Sequence, residues 1–268
     1  MEWSGKKVVI TGGSSGFGFA IARSFARHGA HVAIIGLEQH GVEKATRELE
    51  QLSQVLPLVA DVRSDVDVNR CHNEIVSAWG RVDVLVNAAG RSMRGTIQDT
   101  TPDQFRDLFD LNVVALVRVT RAFLPDLLAS RGHVVNIGSL ASKAAARYVG
   151  AYPASKHAVA AFSQQLRLEL GRQGLHVLLV CPGPIARSGP RLYQLEGQEG
   201  VPEAARGPGA GVKVKTIDPD KLAERIVKAC ERRLPELIVP GRARILFAIA
   251  QLFPRLGDWL ILKFTTRE

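Results

Sequence analysis

Cysteines are few in this sequence of 268 residues, and its apolar C-terminal stretch is too short to span a bilayer. The three cysteines, Cys71, Cys181 and Cys230, lie far apart, without the spacing of a disulfide framework or a zinc site. The C-terminal stretch is broken by Pro254, whereas a spanning helix needs about 20 apolar residues in a row. The chain also starts without a signal-peptide pattern, so we expect a reducing compartment, the cytoplasm.

Acidic residues are fewer than basic ones, and the sequence shows no spacing typical of metal ligands. The chain has 35 Lys and Arg against 26 Asp and Glu, for a net charge of +9. This excess favours an anionic partner such as a phosphate-bearing cofactor, a lipid headgroup or nucleic acid. Nucleic acid is the weakest of these, because no stripe of basic and aromatic residues is visible. The seven histidines show no ligand spacing, so we expect no metal.

With 46% hydrophobic and 23% charged residues, the chain can bury a sizeable core. Seven short apolar runs alternate with helical patterns, and no hairpin signal separates them. They cover Lys6–Thr11, His31–Ile35, Val55–Ala60, Val82–Asn87, His133–Gly138, Leu175–Cys181 and Glu236–Val239. This alternation predicts an α/β fold, a single Rossmann-type doubly wound parallel sheet of about seven strands with helices on both faces.

Two segments depart from the alternation. Residues 187–214 are rich in glycine and proline, which favours a mobile lid, with a plain surface excursion as the alternative. The second departure begins at Arg242, where apolar clusters and basic residues follow the last strand. We therefore expect the main domain to cover residues 1–241. Residues 242–268 would be a helical extension of the same domain.

A glycine-rich turn follows the first apolar run and opens a helix expected over Phe19–His28. It reads Thr11-Gly12-Gly13-Ser14-Ser15-Gly16-Phe17-Gly18. Glycines here let backbone amides approach a pyrophosphate, and the helix N-terminus adds partial positive charge. The alternative is that the glycines serve only a tight crossover. A nucleoside-triphosphate loop is excluded, because no Gly-Lys-Ser/Thr closes the turn.

Tyr152 and Lys156 lie four residues apart at the start of a long helix expected over Ala151–Leu170, so they share one helix face. A tyrosine titrates near ~10 in water, and acid–base work at neutral pH requires a nearby positive charge. Lys156 can supply that charge. In isolation, such a pair is more often part of a solvated helix face.

From Lys6 to about Val239 the chain resembles the short-chain dehydrogenase/reductase family, because several motifs coincide in order. The glycine turn is similar to the family's cofactor turn. Further matches are Asp61-Val62 with its adenine contact, Asn87-Ala88-Ala89-Gly90 with the segment after the fourth strand, and Pro182-Gly183 with a later turn. Ser139, Tyr152 and Lys156 match the catalytic residues, and Asn112 matches the asparagine that completes the tetrad.

The resemblance implies an NAD(P)(H)-dependent oxidoreductase that transfers a hydride between nicotinamide and a carbonyl or secondary alcohol. It also implies that residues 1–241 form the dinucleotide-binding and catalytic domain. Tyr152 would exchange a proton with the substrate oxygen, and Ser139 would hold that oxygen. Lys156 would stabilise the phenolate and bind the nicotinamide ribose, and Asn112 would hold a water linking Lys156 to solvent. The expected cofactor contacts are Gly12, Ser14, Ser15, Gly16, Phe17, Gly18, Asp61, Val62, Asn87, Ala88, Gly90, Tyr152, Lys156, Pro182, Gly183 and Ile185.

The cofactor preference is read at the end of the second strand, where the family pattern breaks. An acidic residue usually binds the ribose of NAD there, but this chain has Gly36 and Leu37. The missing acid favours NADP(H) over NAD(H), whereas the neighbouring Glu38 argues for NAD(H). Ser14, Ser15 and Arg63 are candidates to line a phosphate site. The threonine that usually contacts the nicotinamide carboxamide is also missing, from the segment 184–187.

The substrate pocket is expected from residues 91–95, 140–148 and the lid, which combine apolar side chains with arginines. The C-terminal segment resembles hydroxysteroid and ketosphinganine reductases that work at membranes. Both features favour a lipid-like, steroid or long-chain keto substrate with a polar or anionic end. The alternative function is a non-catalytic, cofactor-binding regulatory or interaction protein, and the complete tetrad argues against it.

Two further partners are expected. The resembling family packs across a two-fold axis through the helices expected here over Val113–Ala129 and Ala151–Leu170, which predicts a homodimer or homotetramer. In residues 242–268, apolar residues at helical spacing lie beside basic ones. This segment either braces the fold or lies in the plane of an anionic membrane surface, which would make the cytoplasmic protein peripherally membrane-associated.

Overall fold

The computed structural model describes residues 3–186, 201–206 and 215–265. Within them, seven parallel strands form one sheet in the order β3-β2-β1-β4-β5-β6-β7. The strands are β1 (Lys7–Thr11), β2 (His31–Gly36), β3 (Val55–Val59), β4 (Val84–Asn87), β5 (His133–Ile137), β6 (His176–Pro182) and β7 (Glu236–Val239). The doubly wound α/β fold is confirmed.

Ten α-helices are found in the described part of the chain. They are α1 (Gly16–Arg27), α2 (Gln39–Leu49), α3 (Asp65–Trp79), α4 (Pro102–Phe109), α5 (Ala115–Ala129), α6 (Tyr152–Leu170), α7 (Glu203–Arg206), α8 (Pro219–Glu231), α9 (Ala243–Leu252) and α10 (Pro254–Thr265). A π-helical turn, Asp110–Val114, joins α4 to α5. Helix α1 begins three residues earlier than predicted, so the second half of the glycine turn is already helical.

The sheet is buried on both faces, as expected when crossover helices cover a parallel sheet. On one face α1 and α8 pack through residues such as Phe25 and Ile226. On the other face α3 and α5 pack through residues such as Ile75 and Phe123. Burial of one large apolar side chain contributes about 1.5–3 kcal/mol to the stability of the fold. These two layers therefore hold the sheet, and the loops at its ends, in a fixed arrangement.

The strand order reverses between the neighbouring strands β1 and β4. The chain fills one half of the sheet from β1 to β3 and the other half from β4 to β7. Thr11 and Asn87, the last residues of β1 and β4, are register partners. The glycine turn and the segment after Asn87 therefore meet at the carboxyl ends of the strands. Open α/β sheets bind ligands at this point.

Two histidines face each other at the amino ends of the strands, on the side of the sheet away from the glycine turn. His133 and His176 are the first residues of β5 and β6 and are register partners. Their Nδ1 atoms are 2.8 Å apart, and His176 Nε2 lies 2.8 Å from the carbonyl oxygen of Leu234. Burial lowers the pKa of His133 to about 3 and that of His176 to about 4, so both rings are neutral at pH 7. With buried Cys230 they form the one metal-competent cluster among the described residues. The hydrogen bond between the rings already gives both facing nitrogens a protein partner.

Helices α9 and α10 form a helical hairpin after the last strand. They approach closely, since a Cβ at Gly257 would lie 2.5 Å from the Cα of Ala250. Phe247 is buried in an apolar cluster with residues of β6 and β7, which fixes α9 to the sheet. Other apolar side chains of the hairpin are exposed: Ile245, Leu252, Phe253, Leu256, Trp259 and Leu262. Over the described ranges, the structure contains no helix long and apolar enough to cross a bilayer.

The segment 187–214, expected as a lid, lies outside the described residues except for Val201–Arg206. This short piece contains α7, and its Val201 and Ala205 are buried. It therefore packs against the rest of the protein at the carboxyl edge of the sheet, beside Arg94.

Candidate active site

A cavity of about 970 Å³ opens at the carboxyl ends of the strands. The glycine turn bounds one side, and the C-terminal hairpin bounds another. The predicted residues that line it are Gly12, Ser15, Gly16, Phe17, Gly18, Ala88, Gly90, Ser139, Tyr152, Lys156, Pro182, Gly183 and Ile185. The predicted residues outside its lining are Ser14, Asp61, Val62, Asn87 and Asn112. The structure thus brings most of the predicted site together.

Close backbone approaches shape the glycine turn. Gly12 has a φ of +66°, and a Cβ there would lie 3.0 Å from the backbone of Ala89. A Cβ at Gly18 would lie 2.1 Å from the Gly12 carbonyl oxygen, so the helix packs directly on the turn. The Thr11 hydroxyl oxygen accepts hydrogen bonds from the amides of Ala88 and Ala89. These contacts join the glycine turn to the loop after β4.

Gly16 faces open space at the start of α1. A Cβ built there meets no atom within 4 Å, and the residue lines the cavity. Ser15 is the N-cap residue but makes no side-chain hydrogen bond to the helix. Uncapped amides at a helix N-terminus bind phosphate well. The turn therefore fits the pyrophosphate of a dinucleotide cofactor.

Tyr152 and Lys156 occupy successive turns on one face of α6. The Lys156 Nζ lies 5.8 Å from the centroid of the Tyr152 ring and donates a 2.8 Å hydrogen bond to the carbonyl oxygen of Ile137. Burial lowers the pKa of Lys156 to about 8. The cavity wall thus holds a phenol beside an ammonium group that gives up its proton more easily than usual.

Ser139 follows β5 and caps the short 3-10 helix Leu140–Ser142. Its Oγ accepts a hydrogen bond from the Ala141 amide, and its own amide donates to the Ser142 hydroxyl, both at 3.1 Å. These bonds fix the side chain in the wall that also contains Tyr152. The hydroxyl oxygen accepts a hydrogen bond in this cap, so the hydroxyl proton can be donated to a substrate oxygen.

Asn112 lies in the π-helical turn and is buried. Its Nδ2 donates to the Arg91 carbonyl oxygen and to the Ser155 hydroxyl, and its Oδ1 accepts from the Arg91 amide, all at 3.0 Å. Isolated π-turns are frequent at functional sites, where they redirect a side chain. Here the amide joins α6 to the loop after β4. Its expected role of holding a water stays a prediction.

Asn87 and Asp61 make contacts within the protein frame. The Asn87 Nδ2 donates to the Thr120 hydroxyl and to Asn136 Oδ1, both at 2.9 Å. Asp61 forms a 2.8 Å ion pair with Arg63, whose hydrogen bonds hold the pKa of Asp61 below its usual range. Arg63 is therefore engaged by a carboxylate, and the structure gives no geometric support to its expected place in a phosphate site.

The cavity wall has one part that was predicted and one that was not. Arg94, expected in the pocket among residues 91–95, lines the cavity; it is only 6% exposed and donates from Nε to the carbonyl oxygen of Ala205 at 3.0 Å. Met93 and Tyr148, also expected in the pocket, lie outside the lining, and Met93 packs beneath Gly150. The part that was not predicted comes from the hairpin, which contributes Arg242, Ala243, Leu246, Phe247 and Ile261. No motif marks the hairpin positions, because they depend on how the hairpin folds back over the sheet.

The charge of the cavity wall has one sign. Its lining includes Arg91, Arg94, Lys156 and Arg242 and, among the described residues, no carboxylate. The charge of Arg91 is offset by an ion pair with Asp107, which lies outside the lining. Burial lowers the pKa of Arg94 to about 10, so its guanidinium stays charged at neutral pH. A cavity with this field attracts phosphate-bearing ligands.

A parallel sheet, a glycine-rich turn at a helix N-terminus and a Tyr–Lys pair in one cavity are the features of an oxidoreductase that depends on NAD(P)(H). The chain matches the sequence model described as short chain dehydrogenase over residues 6–191. It belongs to the short-chain dehydrogenase/reductase family and acts on CH–OH or C=O groups, as its motifs predict.

Individual relatives agree with this assignment. The chain is 36% identical over 247 residues to dehydrogenase/reductase SDR family member 7B of Xenopus laevis, which covers 87% of this chain and 73% of that protein. It is 27% identical to ketoacyl reductase HetN of a Nostoc species, over 95% of this chain and 88% of that one. L-sorbose reductase of Gluconobacter frateurii, solved with NADPH and L-sorbose, has a TM-score of 0.75 at 27% identity, covering 89% and 97% of the two chains.

Proposed function

We propose that this protein is an NADP(H)-dependent carbonyl reductase for lipid-like, steroid or long-chain ketones, or works in reverse on the matching secondary alcohols. The observation that carries this proposal is one cavity in which the glycine turn, the Tyr152–Lys156 pair and apolar hairpin residues meet. A bound nicotinamide supplies or takes up the hydride. Residues 1–241 hold the cofactor and catalytic groups, and residues 242–268 form an extension of the same domain. The described part of that extension completes the cavity wall through residues between Arg242 and Ile261.

Four side chains carry the proposed proton chemistry. During reduction Tyr152 gives its proton to the substrate oxygen, and Ser139 donates a hydrogen bond to that oxygen as negative charge develops there. Lys156 stabilises the phenolate that Tyr152 becomes and binds the nicotinamide ribose. Lys156 then passes a proton back to Tyr152, and Asn112 holds the water through which Lys156 regains that proton from solvent. The remaining predicted contacts, from Gly12 to Ile185, bind the dinucleotide.

The apolar part of the substrate is assigned to the cavity wall away from the glycine turn. Leu140 and Val149 line this part from the loops around β5 and α6, and Leu246, Phe247 and Ile261 line it from the hairpin. A wall built from so many apolar side chains favours a substrate with a hydrocarbon body. The ketoacyl reductase among the relatives supports the same class.

A substrate panel with NADPH tests this function. We expect NADPH consumption with long-chain ketones and steroids, at a kcat/KM at least about tenfold above that for ketose sugars, because each buried methylene adds about 0.8 kcal/mol. A preference for sugars would contradict the substrate class. NADPH binding without consumption across the panel would instead favour a non-catalytic, cofactor-binding regulator.

The cofactor preference gives a second prediction. We expect NADPH to bind at least as tightly as NADH, and Leu37→Arg to raise the preference for NADPH by about tenfold, since a charge-assisted hydrogen bond to the phosphate is gained. Leu37 is 58% exposed at the end of β2, so the substitution leaves packing intact. Nicotinamide fluorescence titration measures both affinities.

Leu52→Arg is the matched control, because it adds the same charge at a partly exposed site after α2. We expect it to leave the preference unchanged. Tighter binding of NADH by the unmodified protein would contradict the proposal and would make Glu38 the ribose ligand.

Enzymes of this family are commonly oligomeric, and we propose a homodimer or homotetramer that uses α5 and α6. Leu168 on α6 is 71% exposed, which favours a contact on that face. We expect sedimentation velocity to show dimers or tetramers at micromolar concentration, and Leu168→Glu to shift them toward monomers. Val66→Glu, at an exposed position of α3, is the control. A monomeric unmodified protein would contradict this proposal.

We also propose that the hairpin contacts an anionic membrane surface. Phe247 faces the core, whereas Phe253 and Trp259 are more than half exposed, so the hairpin has apolar side chains on two sides. Its described residues include four basic side chains, Arg242, Arg244, Arg255 and Lys263, and one carboxylate, Asp258. Each basic residue near an anionic surface contributes about 1 kcal/mol. Bracing and docking are therefore compatible uses of one hairpin.

Co-sedimentation with phosphatidylserine-containing vesicles tests the membrane contact. We expect the protein to pellet at low salt and to be released at high salt, with binding reduced at least about tenfold in Phe253→Ser/Trp259→Ser, because the apolar contact is lost. Val66→Ser is the control for loss of an exposed apolar residue elsewhere. Protein that stays in the supernatant at low salt would leave the hairpin as a brace only.

A further inference from the structure

Arg242 is a cation of the cavity wall that none of the proton-transfer or cofactor roles proposed above uses. It is exposed at the start of α9 and also lines the cavity, so it lies at the cavity mouth. Within residues 3–186, 201–206 and 215–265, its guanidinium forms no ion pair and no side-chain hydrogen bond. Its N–H donors are therefore available to a ligand.

The other cations of the cavity wall are engaged by the protein. Arg91 forms an ion pair with a carboxylate of α4, which offsets its charge. Arg94 and Lys156 donate hydrogen bonds to backbone carbonyl oxygens. Of the lining cations in the described part of the chain, Arg242 is thus the one whose charge no protein group uses.

The strand order separates Arg242 from the turn that fits the cofactor pyrophosphate. Arg242 follows β7 at one edge of the sheet, whereas the glycine turn follows β1. Three strands lie between β1 and β7, and neighbouring strands are about 4.8 Å apart, so the two ends are roughly 19 Å apart. The segment at Asp61, which follows β3, lies still further away, beyond β1. Arg242 therefore belongs to the part of the cavity that is left for the substrate.

An apolar wall connects Arg242 with the reacting groups. Ser139 follows β5, two strands from β7, so about 10 Å separates the ends of these strands. Between them Leu140 and Ala144 pack in one apolar cluster with Phe247 of α9, and all three line the cavity. A molecule whose oxygen lies at Ser139 can thus extend along apolar side chains toward Arg242.

We propose that Arg242 is a specificity-determining residue that binds an anionic end group of the substrate, a carboxylate or a phosphate. The inference rests on the proposed function and narrows its substrate class to long-chain ketones that carry this group about 10 Å from the carbonyl. A guanidinium binds either group through paired hydrogen bonds. Because Arg242 takes no part in the proton chemistry, it acts through substrate binding.

A keto acid and its methyl ester test this proposal with NADPH. Both compounds have a long chain with a keto group near its middle, and they differ in the charge at one end. For the unmodified protein we expect kcat/KM for the acid to exceed that for the ester about tenfold, through KM, because a charge-assisted hydrogen bond is gained. Arg242→Met should abolish this preference and leave kcat/KM for the ester unchanged. Arg242→Lys should retain part of the preference, since it keeps the charge without the paired donors.

Saturated compounds test the same site without turnover. Myristate, myristyl phosphate and myristyl alcohol are titrated into the NADPH-bound protein by calorimetry. We expect both anions to bind more tightly than the alcohol, and Arg242→Met to weaken their binding about tenfold while the alcohol binds as before. The anion that binds more tightly identifies the end group.

Arg232→Met is the matched control, because Arg232 is an exposed arginine before β7, at the opposite end of this strand and outside the cavity lining. It should behave like the unmodified protein in both assays. Equal kcat/KM for acid and ester, or a preference for the acid that persists in Arg242→Met, overturns the proposal.

The two assays also separate this proposal from the proposed function. If no ketone is reduced but the binding of anions depends on Arg242, the proposed reaction is wrong and the anion site is supported. If the anions and the alcohol bind equally, the anion site is wrong, whether or not ketones are reduced.

Discussion

Tyr152→Phe lowers turnover by about a hundredfold to ten-thousandfold and leaves NADPH affinity unchanged. Proton transfer by a positioned side chain contributes a factor of this size. The substitution removes the hydroxyl proton and keeps the ring, so α6 and the cavity wall keep their packing. Steady-state NADPH consumption with a long-chain ketone gives the turnover, and nicotinamide fluorescence gives the affinity.

Tyr148→Phe is the matched control for this result. Tyr148 lies four residues before Tyr152 in the loop that leads into α6, outside the cavity lining. Its variant should keep turnover within about twofold, in the range of an ordinary surface substitution. If Tyr152→Phe retained the turnover of the unmodified enzyme, proton transfer would have to come from another group, and the mechanism would be wrong.

Lys156→Met should abolish most turnover and yet make the fold more stable. Lys156 is buried, with its pKa lowered to about 8 from 10.5 in the unfolded chain. This difference corresponds to roughly 3 kcal/mol of destabilisation by the buried charge. The variant also loses the hydrogen bond to the Ile137 carbonyl oxygen, which lowers its stability by about 1 kcal/mol. We therefore expect a net gain of about 2 kcal/mol in the free energy of unfolding.

The pH dependence of that gain identifies its cause. Below pH 8 Lys156 is charged in both the folded and the unfolded state, so the cost of burying the charge is present in full. Between pH 8 and 10.5 the folded protein loses this proton first, and the cost falls to zero as the pH approaches 10.5. Denaturant unfolding across this range should therefore show the advantage of Lys156→Met shrinking.

Lys228→Met is the control for the stability result. Lys228 is 60% exposed on α8 and pairs with Glu224, so its removal should change the free energy of unfolding by about 0.5 kcal/mol or less. A Lys156→Met variant less stable than the unmodified protein at pH 7 would show that the charge is well compensated inside the site.

The fold and the site centre were predictable because they depend on local patterns. Seven β-rich runs alternating with helices specify a parallel sheet, and its strand ends lie within two residues of those expected. Tyr152 and Lys156 meet because helical spacing requires it. The glycine turn lies beside the cavity because it joins β1 to α1 at the reversal of strand order.

The rest of the cavity depends on contacts between distant parts of the chain. Leu246 and Ile261 reach the cavity only because Gly257 lets α10 pack closely on α9 and Phe247 anchors α9 to the core. No spacing rule predicts such a packing. Arg94 is likewise buried by α7, which lies 111 residues further along the chain. The pairing of Arg63 with Asp61 is local, but competing partners for an exposed arginine cannot be ranked from sequence.

Deuteride transfer is the measurement that tests the central claim most directly. The enzyme is supplied with NADPH that carries deuterium at both hydrogen positions of the nicotinamide C4 atom and with a long-chain ketone, and the alcohol product is analysed by mass spectrometry. We predict that deuterium appears on the carbinol carbon of the product, and that Tyr152→Phe yields almost no labelled alcohol in the same time. Unlabelled alcohol, or equal labelling by Tyr152→Phe, would contradict direct hydride transfer assisted by Tyr152.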